Sequence, residues 1–188
     1  MEISKGKIIT SLLWSALFSL SISAKASPII VEATGIGTYT DIVTNTVLND
    51  AAITQTWRFD TDDVPADIYG STIPGYAKYE STTSWISAKI AVNGGIIGDE
   101  NAILDEPVDS AMDTIFIWDN YGGWDQYRIS SYGDDYSGEY DSFVSRAYFN
   151  DYLDDVISGL DFGQLFEWVP NHVSDVGVGY AFWYDKNG

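Results

Sequence analysis

The chain has 188 residues and is strongly acidic, with 28 Asp and Glu against 9 Lys and Arg and a formal net charge of −19. It contains no cysteine, which excludes disulfides, thiolate metal sites and a cysteine nucleophile. Because nucleic-acid binding needs clustered Lys and Arg, and the basic residues here are scattered singly along the sequence, we expect no nucleic-acid partner. The acidity indicates a solvated exterior first, with divalent-cation binding as the alternative.

The first 26 residues have the pattern of a signal peptide. Two lysines precede an apolar run over residues 8–22, and residues 24–26 (Ala-Lys-Ala) give the small-x-small pattern that signal peptidase accepts. The run is shorter than the roughly 20 apolar residues that span a bilayer, so cleavage is favoured over an uncleaved anchor. We therefore expect a signal peptide over 1–26, one mature domain over 27–188, a secreted or periplasmic location, and no membrane insertion after cleavage.

The clearest strand of the mature chain covers residues 53–60. Alternate positions are apolar or aromatic on one side, which is the period of a half-buried strand. The acidic residues that follow favour turns, and Pro65 cannot extend a ladder, so the strand is predicted to end there.

The rest of the mature chain also shows the pattern of strands. Further strands are expected at residues 29–43, 76–80, 83–93, 113–119, 124–131, 143–149, 164–169 and 176–184, while 96–108 is ambiguous and 151–157 allows a short helical turn. The segment 120–123 (Asn-Tyr-Gly-Gly) is the strongest turn signal and joins two of these strands as a hairpin. Eight to ten strands without a helical period predict an all-β, antiparallel β-sandwich of jelly-roll-like type.

Stability must come from packing, because disulfides are absent. Trp, Tyr and Phe together number 28, and each can bury on the order of 150–250 Å². The predicted core residues are Trp57, Phe59, Ile86, Ile90, Ile115, Ile117, Phe166 and Trp168.

Four segments carry a resemblance to a known group of proteins: WRFDTDD, SWISAKIAVNG, DTIFIWDNYGGWDQYRI and SGLDFGQLFEW. In this order they resemble uncharacterised secreted bacterial β-sandwich proteins of the PEP-CTERM-associated type. The resemblance implies export and a β-sandwich, and it supplies no catalytic residues. The sequence ends at Gly188 without the Pro-Glu-Pro tail and apolar span of that group, so sorting by that route is not carried over.

Two enzymatic interpretations are weak on residue chemistry. His172 is the only histidine, and although Ser174 and Asp175 are nearby, no nucleophile elbow places a serine for a triad. Glycoside hydrolysis needs two carboxyl groups about 5 to 10 Å apart. Glu139 and Asp141 would face the same side of a strand, but such pairs are unspecific in a chain this acidic, as is Glu167 in a half-buried strand.

The acidic turn after the clearest strand is a candidate calcium site. Ca²⁺ takes six to eight oxygen ligands from carboxylates, amides and carbonyls held by a turn. Asp60, Asp62 and Asp63 offer such ligands, although they do not match an EF-hand loop. The alternative is an acidic turn that is only solvated.

The hairpin around residues 118–124 is a candidate ligand-binding site. Trp118, Tyr121 and Trp124 could stack on pyranose rings, while Asp119 and Asn120 could accept or donate to sugar hydroxyls. Core packing is the competing interpretation for Trp118, which lies in an apolar run.

Taken together, these features predict an exported, non-enzymatic extracellular or periplasmic binding or structural module. Its expected partner is an extracellular polysaccharide or another cell-surface component, and calcium is the one cofactor that the sequence suggests. The alternative function is a polysaccharide-acting hydrolase that uses paired carboxylates.

Overall fold

A computed structural model describes residues 5–13, 28–69, 72–99, 110–120, 122–134, 142–152, 156–162 and 175–185. These residues form strands and one short 3-10 turn, Thr61–Asp63. The strands are β1 (Lys5–Leu13), β2 (Ile29–Asp41), β3 (Thr46–Phe59), β4 (Tyr76–Ser81), β5 (Ser87–Val92), β6 (Gly95–Asp99), β7 (Ser110–Ala111), β8 (Asp113–Trp118), β9 (Asp125–Asp134), β10 (Ser142–Asp151) and β11 (Val176–Asp185).

The strands form two antiparallel sheets, and the predicted all-β, sandwich-like single domain is confirmed. The strands are hydrogen-bonded in one continuous order, β4-β8-β9-β10-β11-β1-β2-β3-β5-β6, with β7 paired to β9. Strand β1 pairs with both β2 and β11 and so joins the two sheets, which we call the large sheet (β4-β8-β9-β10-β11) and the small sheet (β2-β3-β5-β6). After β3 the chain crosses to the large sheet for β4 and returns to the small sheet for β5 and β6.

Strand β3 shows why the sequence forms this sandwich. It starts at Thr46, earlier than predicted, and from Ala51 onward its side chains alternate between buried and more exposed positions up to Phe59. The predicted inward face is confirmed, and it includes Gln55, whose side-chain amide donates to the Ser145 hydroxyl and to the Tyr180 carbonyl, both at 3.1 Å. These bonds tie the small sheet to β10 and β11 across the interior.

The core lies between the two sheets. Six of the eight predicted core residues are buried and belong to one cluster: Trp57, Phe59, Ile86, Ile90, Ile115 and Ile117. The other two, Phe166 and Trp168, lie outside the described residues. The Trp57 indole N–H points across the core to the Ser145 carbonyl at 3.4 Å, so the largest buried side chain also finds a partner on the opposite sheet.

The hairpin formed by β8 and β9 is confirmed. Trp118 pairs with Gln126 at its closed end, and Asn120, Gly122 and Gly123 adopt φ values of 53°, 76° and 87°. Glycine takes this left-handed conformation without the steric cost that a Cβ brings, and asparagine tolerates it better than most residues. The expected helical turn over 151–157 is not seen in its described part, because Asp151 ends β10.

Strand β1 lies inside the segment that the sequence marks as a signal peptide. In the full chain it lies between β2 and β11 and pairs with both. If residues 1–26 are removed on export, the processed protein has two sheets that β1 no longer connects. Among the described residues, no helix has the length and apolar character needed to cross a bilayer.

Candidate ligand-binding face

The surface of the large sheet that faces away from the core carries aromatic and cationic side chains, which range from buried to half-exposed. Its inward neighbours, including Ala77, Ile117 and Tyr127, are buried in the core, so alternate residues of the same strands face outward. Strand register places these residues in three rows: Tyr76–Trp118–Gln126–Asn150, Lys78–Phe116–Arg128–Tyr148–Val178, and Glu80–Thr114–Ser130–Arg146–Tyr180. We call these three rows the outer face.

A continuous series of aromatic rings crosses one end of the outer face. Its members are Tyr69, Tyr76, Phe116, Trp118, Trp124 and Tyr152, which we call the aromatic ladder. Successive ring centres are 4.8, 4.7, 5.7, 4.7 and 5.8 Å apart along that order. These distances are within the 4.5–7 Å range of favourable aromatic pairs. The ladder therefore forms one packed unit, built from four separate parts of the sequence.

The ladder is buried in its middle and accessible at its Tyr152 end. Phe116 is 8% exposed, whereas Tyr152 is 44% exposed. At the accessible end the rings of Trp124 and Tyr152 are nearly parallel, with an interplanar angle of 13°. Trp118 contacts Trp124 edge to face at 82°, which holds the accessible pair against the sheet.

The predicted hairpin residues divide between the ladder and the turn. Trp118 and Trp124 are in the ladder, and both are half-buried. The backbone N–H of Asp119 donates to the Gly75 carbonyl at 3.0 Å, and that of Asn120 donates to the Asp125 carboxylate at 2.9 Å. Asn120 itself is exposed, so its amide faces solvent beside the ladder. Tyr121 lies outside the described residues.

Asp125 explains why the turn is held in place. It is fully buried, and its second carboxylate oxygen accepts the Ile157 N–H at 2.8 Å. One carboxylate thus joins the hairpin turn to the chain that follows β10. A buried carboxylate needs such donors, because an unpaired buried charge is costly.

Four ladder members were not predicted as site residues: Tyr69, Tyr76, Phe116 and Tyr152. Phe116 and Tyr76 were expected in strands, but nothing local to Tyr69, Tyr76 or Tyr152 indicates that they meet the hairpin. Burial, followed by the hydrogen bond and charge of Tyr69, raises the pKa of Tyr76 to about 12. The phenol is therefore neutral at physiological pH and able to donate a hydrogen bond.

The outer face also gathers cations that are scattered in the sequence. Lys78 forms an ion pair with Glu80 at 2.7 Å. The guanidinium carbon of Arg128 lies 4.6 Å from the ring centre of Phe116, and that of Arg146 lies 5.5 Å from the ring centre of Tyr180. Burial, followed by the charge of Arg146, lowers the pKa of Arg128, while the charge of Glu80 raises it.

The three aspartates proposed for calcium are placed on an exposed turn. Asp62 and Asp63 are in the 3-10 turn that directly follows Asp60, and all three side chains are exposed. Asp60 and Asp63 line an open depression of about 350 Å³ together with Arg58 and Trp85. Within the described ranges, no group of three or more His, Cys, Asp or Glu side chains is arranged to hold a metal ion.

Most residues considered for hydrolysis fall outside the described residues, namely Glu139, Asp141, Glu167, His172 and Ser174. Asp175 is described, and its carboxylate accepts the backbone N–H of Tyr152 at 3.2 Å. Its observed role is therefore to position the exposed end of the aromatic ladder.

Comparison of the chain with protein-family models, with curated proteins and with solved structures gives no match. Function must therefore be argued from the outer face itself.

Proposed function

We propose that the protein is an exported, non-enzymatic binding module, extracellular or periplasmic, that contacts a glycan or another surface polymer through the accessible end of the aromatic ladder. The observation that supports this most directly is the Trp124–Tyr152 pair, whose rings are nearly parallel and 5.8 Å apart. Such a pair offers flat apolar surface at the ends of β9 and β10, where a pyranose ring can stack.

Polar groups beside the ladder suit a hydroxyl-rich ligand. Asn120 is exposed next to Trp118 in the turn, and the amide of Gln126 donates to the Asn150 side chain at 2.7 Å in the adjoining row. Amides both donate and accept hydrogen bonds. Aromatic surface combined with a few fixed polar groups is the usual composition of a small-molecule site.

The ladder is also arranged to bind at low entropic cost. Each ring is in contact with the next, from Tyr69 to Tyr152, through edge-to-face, tilted or stacked pairs. Side chains that are already ordered lose little freedom when a ligand binds. The ladder would also stabilise the hairpin, so its role in binding has to be separated from its role in packing.

Substitution of the two accessible rings separates these roles. We expect Trp124→Ala and Tyr152→Ala each to weaken binding to polysaccharides by about tenfold or more, as truncation of an aromatic contact typically does. The matched control is Trp85→Ala, because Trp85 is also half-buried but its indole N–H donates to the Asp113 carbonyl at 3.3 Å, at the opposite end of β8. A glycan array followed by titration of the bound polymer gives the measurement.

Two results would contradict the proposal. Binding that is unchanged in both ladder variants would show that the ladder only packs. Release of reducing sugars by the purified protein would instead support the alternative, a hydrolase with paired carboxylates.

Export is tested independently by the intact mass of the secreted protein. We expect the mass of residues 27–188, because the basic start, apolar run and Ala-Lys-Ala site fit signal peptidase. A secreted species that retains Met1 would contradict this part of the proposal.

A further inference from the structure

The outer face has a charge opposite to that of the protein as a whole. The chain carries a net charge of −19, yet its three rows contain Lys78, Arg128 and Arg146 and only one acidic residue, Glu80. The Lys78–Glu80 ion pair, at 2.7 Å, neutralises one of these cations. Two positive charges are left on the rows, and both are arginines.

The two arginines are close neighbours on adjoining strands. Arg128 of β9 lies directly opposite Tyr148 of β10, and Arg146 is two residues before Tyr148 on the same face. This is the diagonal relation, with Cα atoms about 7–8 Å apart, across which long side chains reach each other. The lowered pKa of Arg128, which burial and Arg146 both favour, agrees with this proximity.

Within the part of the chain that the structure describes, no carboxylate forms an ion pair with either arginine. Each guanidinium lies over an aromatic ring, Phe116 for Arg128 and Tyr180 for Arg146. The Nε–H of each is buried without a hydrogen-bond acceptor among the described residues. Natural proteins seldom leave buried donors unsatisfied, so this arrangement is costly, and a negative charge placed against the two guanidinium groups would remove the repulsion between them.

We propose that the Arg128–Arg146 pair binds an acidic group of the ligand, so that the module recognises an anionic glycan. This inference rests on the proposed function and names its ligand class. Guanidinium is a planar fork that matches a carboxylate or a sulfate through two parallel hydrogen bonds. Phe116 connects the two features, since it packs under Arg128 and against Trp118 of the aromatic ladder.

The chemistry on the rows distinguishes this ligand from a neutral polymer. A neutral sugar would be served by the ladder and the amides alone, and it would bring no negative charge to either arginine. An acidic sugar chain can stack one ring on the ladder while the acidic group of a sugar one or two units along the same polymer contacts the arginines. The acidic remainder of the protein repels such a chain, but at 0.15 M salt charges beyond about 8 Å are largely screened.

The test compares three polymers on the purified protein at 0.15 M salt. Polygalacturonate carries carboxylates, dextran sulfate carries sulfate esters, and dextran is neutral, so the first two identify the source of the negative charge. We expect one acidic polymer to bind at least tenfold more tightly than dextran. Arg128→Gln and Arg146→Gln should each abolish most of that preference.

The matched control is Arg58→Gln, which removes the same charge from an exposed arginine on β3 of the small sheet. We expect it to change binding less than twofold. Arg128→Lys and Arg146→Lys keep the charge while removing the planar fork, and should lose at least threefold. These variants keep the test valid if either glutamine variant unfolds, which thermal melting reports.

Two outcomes would overturn the inference. One is equal binding of dextran and both acidic polymers, and the other is unchanged acidic binding in the arginine variants. In either case, loss of polymer binding in Trp124→Ala would still support the proposed function. If polymer binding depended on the arginines but not on Trp124, the anion site would be supported and the role of the aromatic ladder as a ligand contact would be contradicted.

Discussion

Trp57 is the largest fully buried side chain among the described residues and lies between the two sheets. It is fully buried on β3 and directs its indole N–H to the Ser145 carbonyl of the opposite sheet at 3.4 Å. Trp57→Ala removes the largest buried side chain and leaves that carbonyl without this donor. Truncation of a buried Trp or Phe to Ala typically costs about 3–5 kcal/mol.

This cost can be converted to a melting temperature. For a domain of about 150–250 residues, 1 kcal/mol shifts the melting temperature by roughly 2–4 °C. We therefore expect Trp57→Ala to lower it by roughly 6–20 °C. The matched control is Arg58→Ala, since Arg58 is the next residue on the strand and its side chain is exposed on the other face.

Thermal unfolding followed by near-ultraviolet circular dichroism is the appropriate assay, because this signal reports the packing of aromatic side chains. Trp57→Phe provides an intermediate, since it keeps a ring in the core and loses the N–H donor. If Trp57→Ala and Arg58→Ala melted alike, the strand register that places Trp57 between the sheets would be refuted.

Three further predictions concern a buried carboxylate, a turn and a cation. Burial raises the pKa of the Asp113 carboxyl group, although its backbone N–H donors act in the opposite direction. The stability that this group contributes is therefore fully present below its unfolded-state pKa of about 3.9 and is lost as the pH rises through its folded-state pKa. The melting temperature of Asp113→Asn should approach that of the parent protein as the pH rises from 3 to 8. A difference between the two melting temperatures that widens over this range would contradict the prediction. Gly123→Ala meets no atom within 4 Å but has φ of +87°, so we expect a loss of about 1–2 kcal/mol in chemical denaturation, with a neutral effect contradicting it. Calcium and magnesium at matched ionic strength should stabilise the protein equally by screening, and a calcium preference that vanishes in Asp62→Asn with Asp63→Asn would instead establish a site on the acidic turn.

The strands could be predicted because their signals are local. The alternation that ends at Phe59 and the Gly122–Gly123 turn each depend on neighbouring residues, and the structure confirms both. The start of β3 at Thr46 was missed, because its first residues are exposed on both faces. Without an alternation of apolar and polar residues, that extension gives no periodic signal.

The outer face could not be predicted, because its residues meet only through strand order. Tyr76 contacts Trp118 because the loop after β3 carries the chain to the large sheet, where β4 pairs with β8. Arg128 and Arg146 appear isolated in sequence, and adjoining strands bring them together. The signal that could have suggested this is the outward alternation of Gln126, Arg128 and Ser130 with buried residues on β9.

The outer face is positively charged and the chain as a whole is negatively charged, and this difference has a physical consequence for ligand selectivity. A protein with a charge of −19 repels polyanions at long range, so an acidic ligand gains affinity only where it contacts Arg128 and Arg146 directly. Raising the salt concentration weakens both effects, but the repulsion acts over the longer distance and is screened first. Binding to an acidic polymer should therefore strengthen between about 0.01 and 0.15 M salt before it weakens. A monotonic decrease over that range would indicate that long-range attraction dominates, which the acidic surface does not supply.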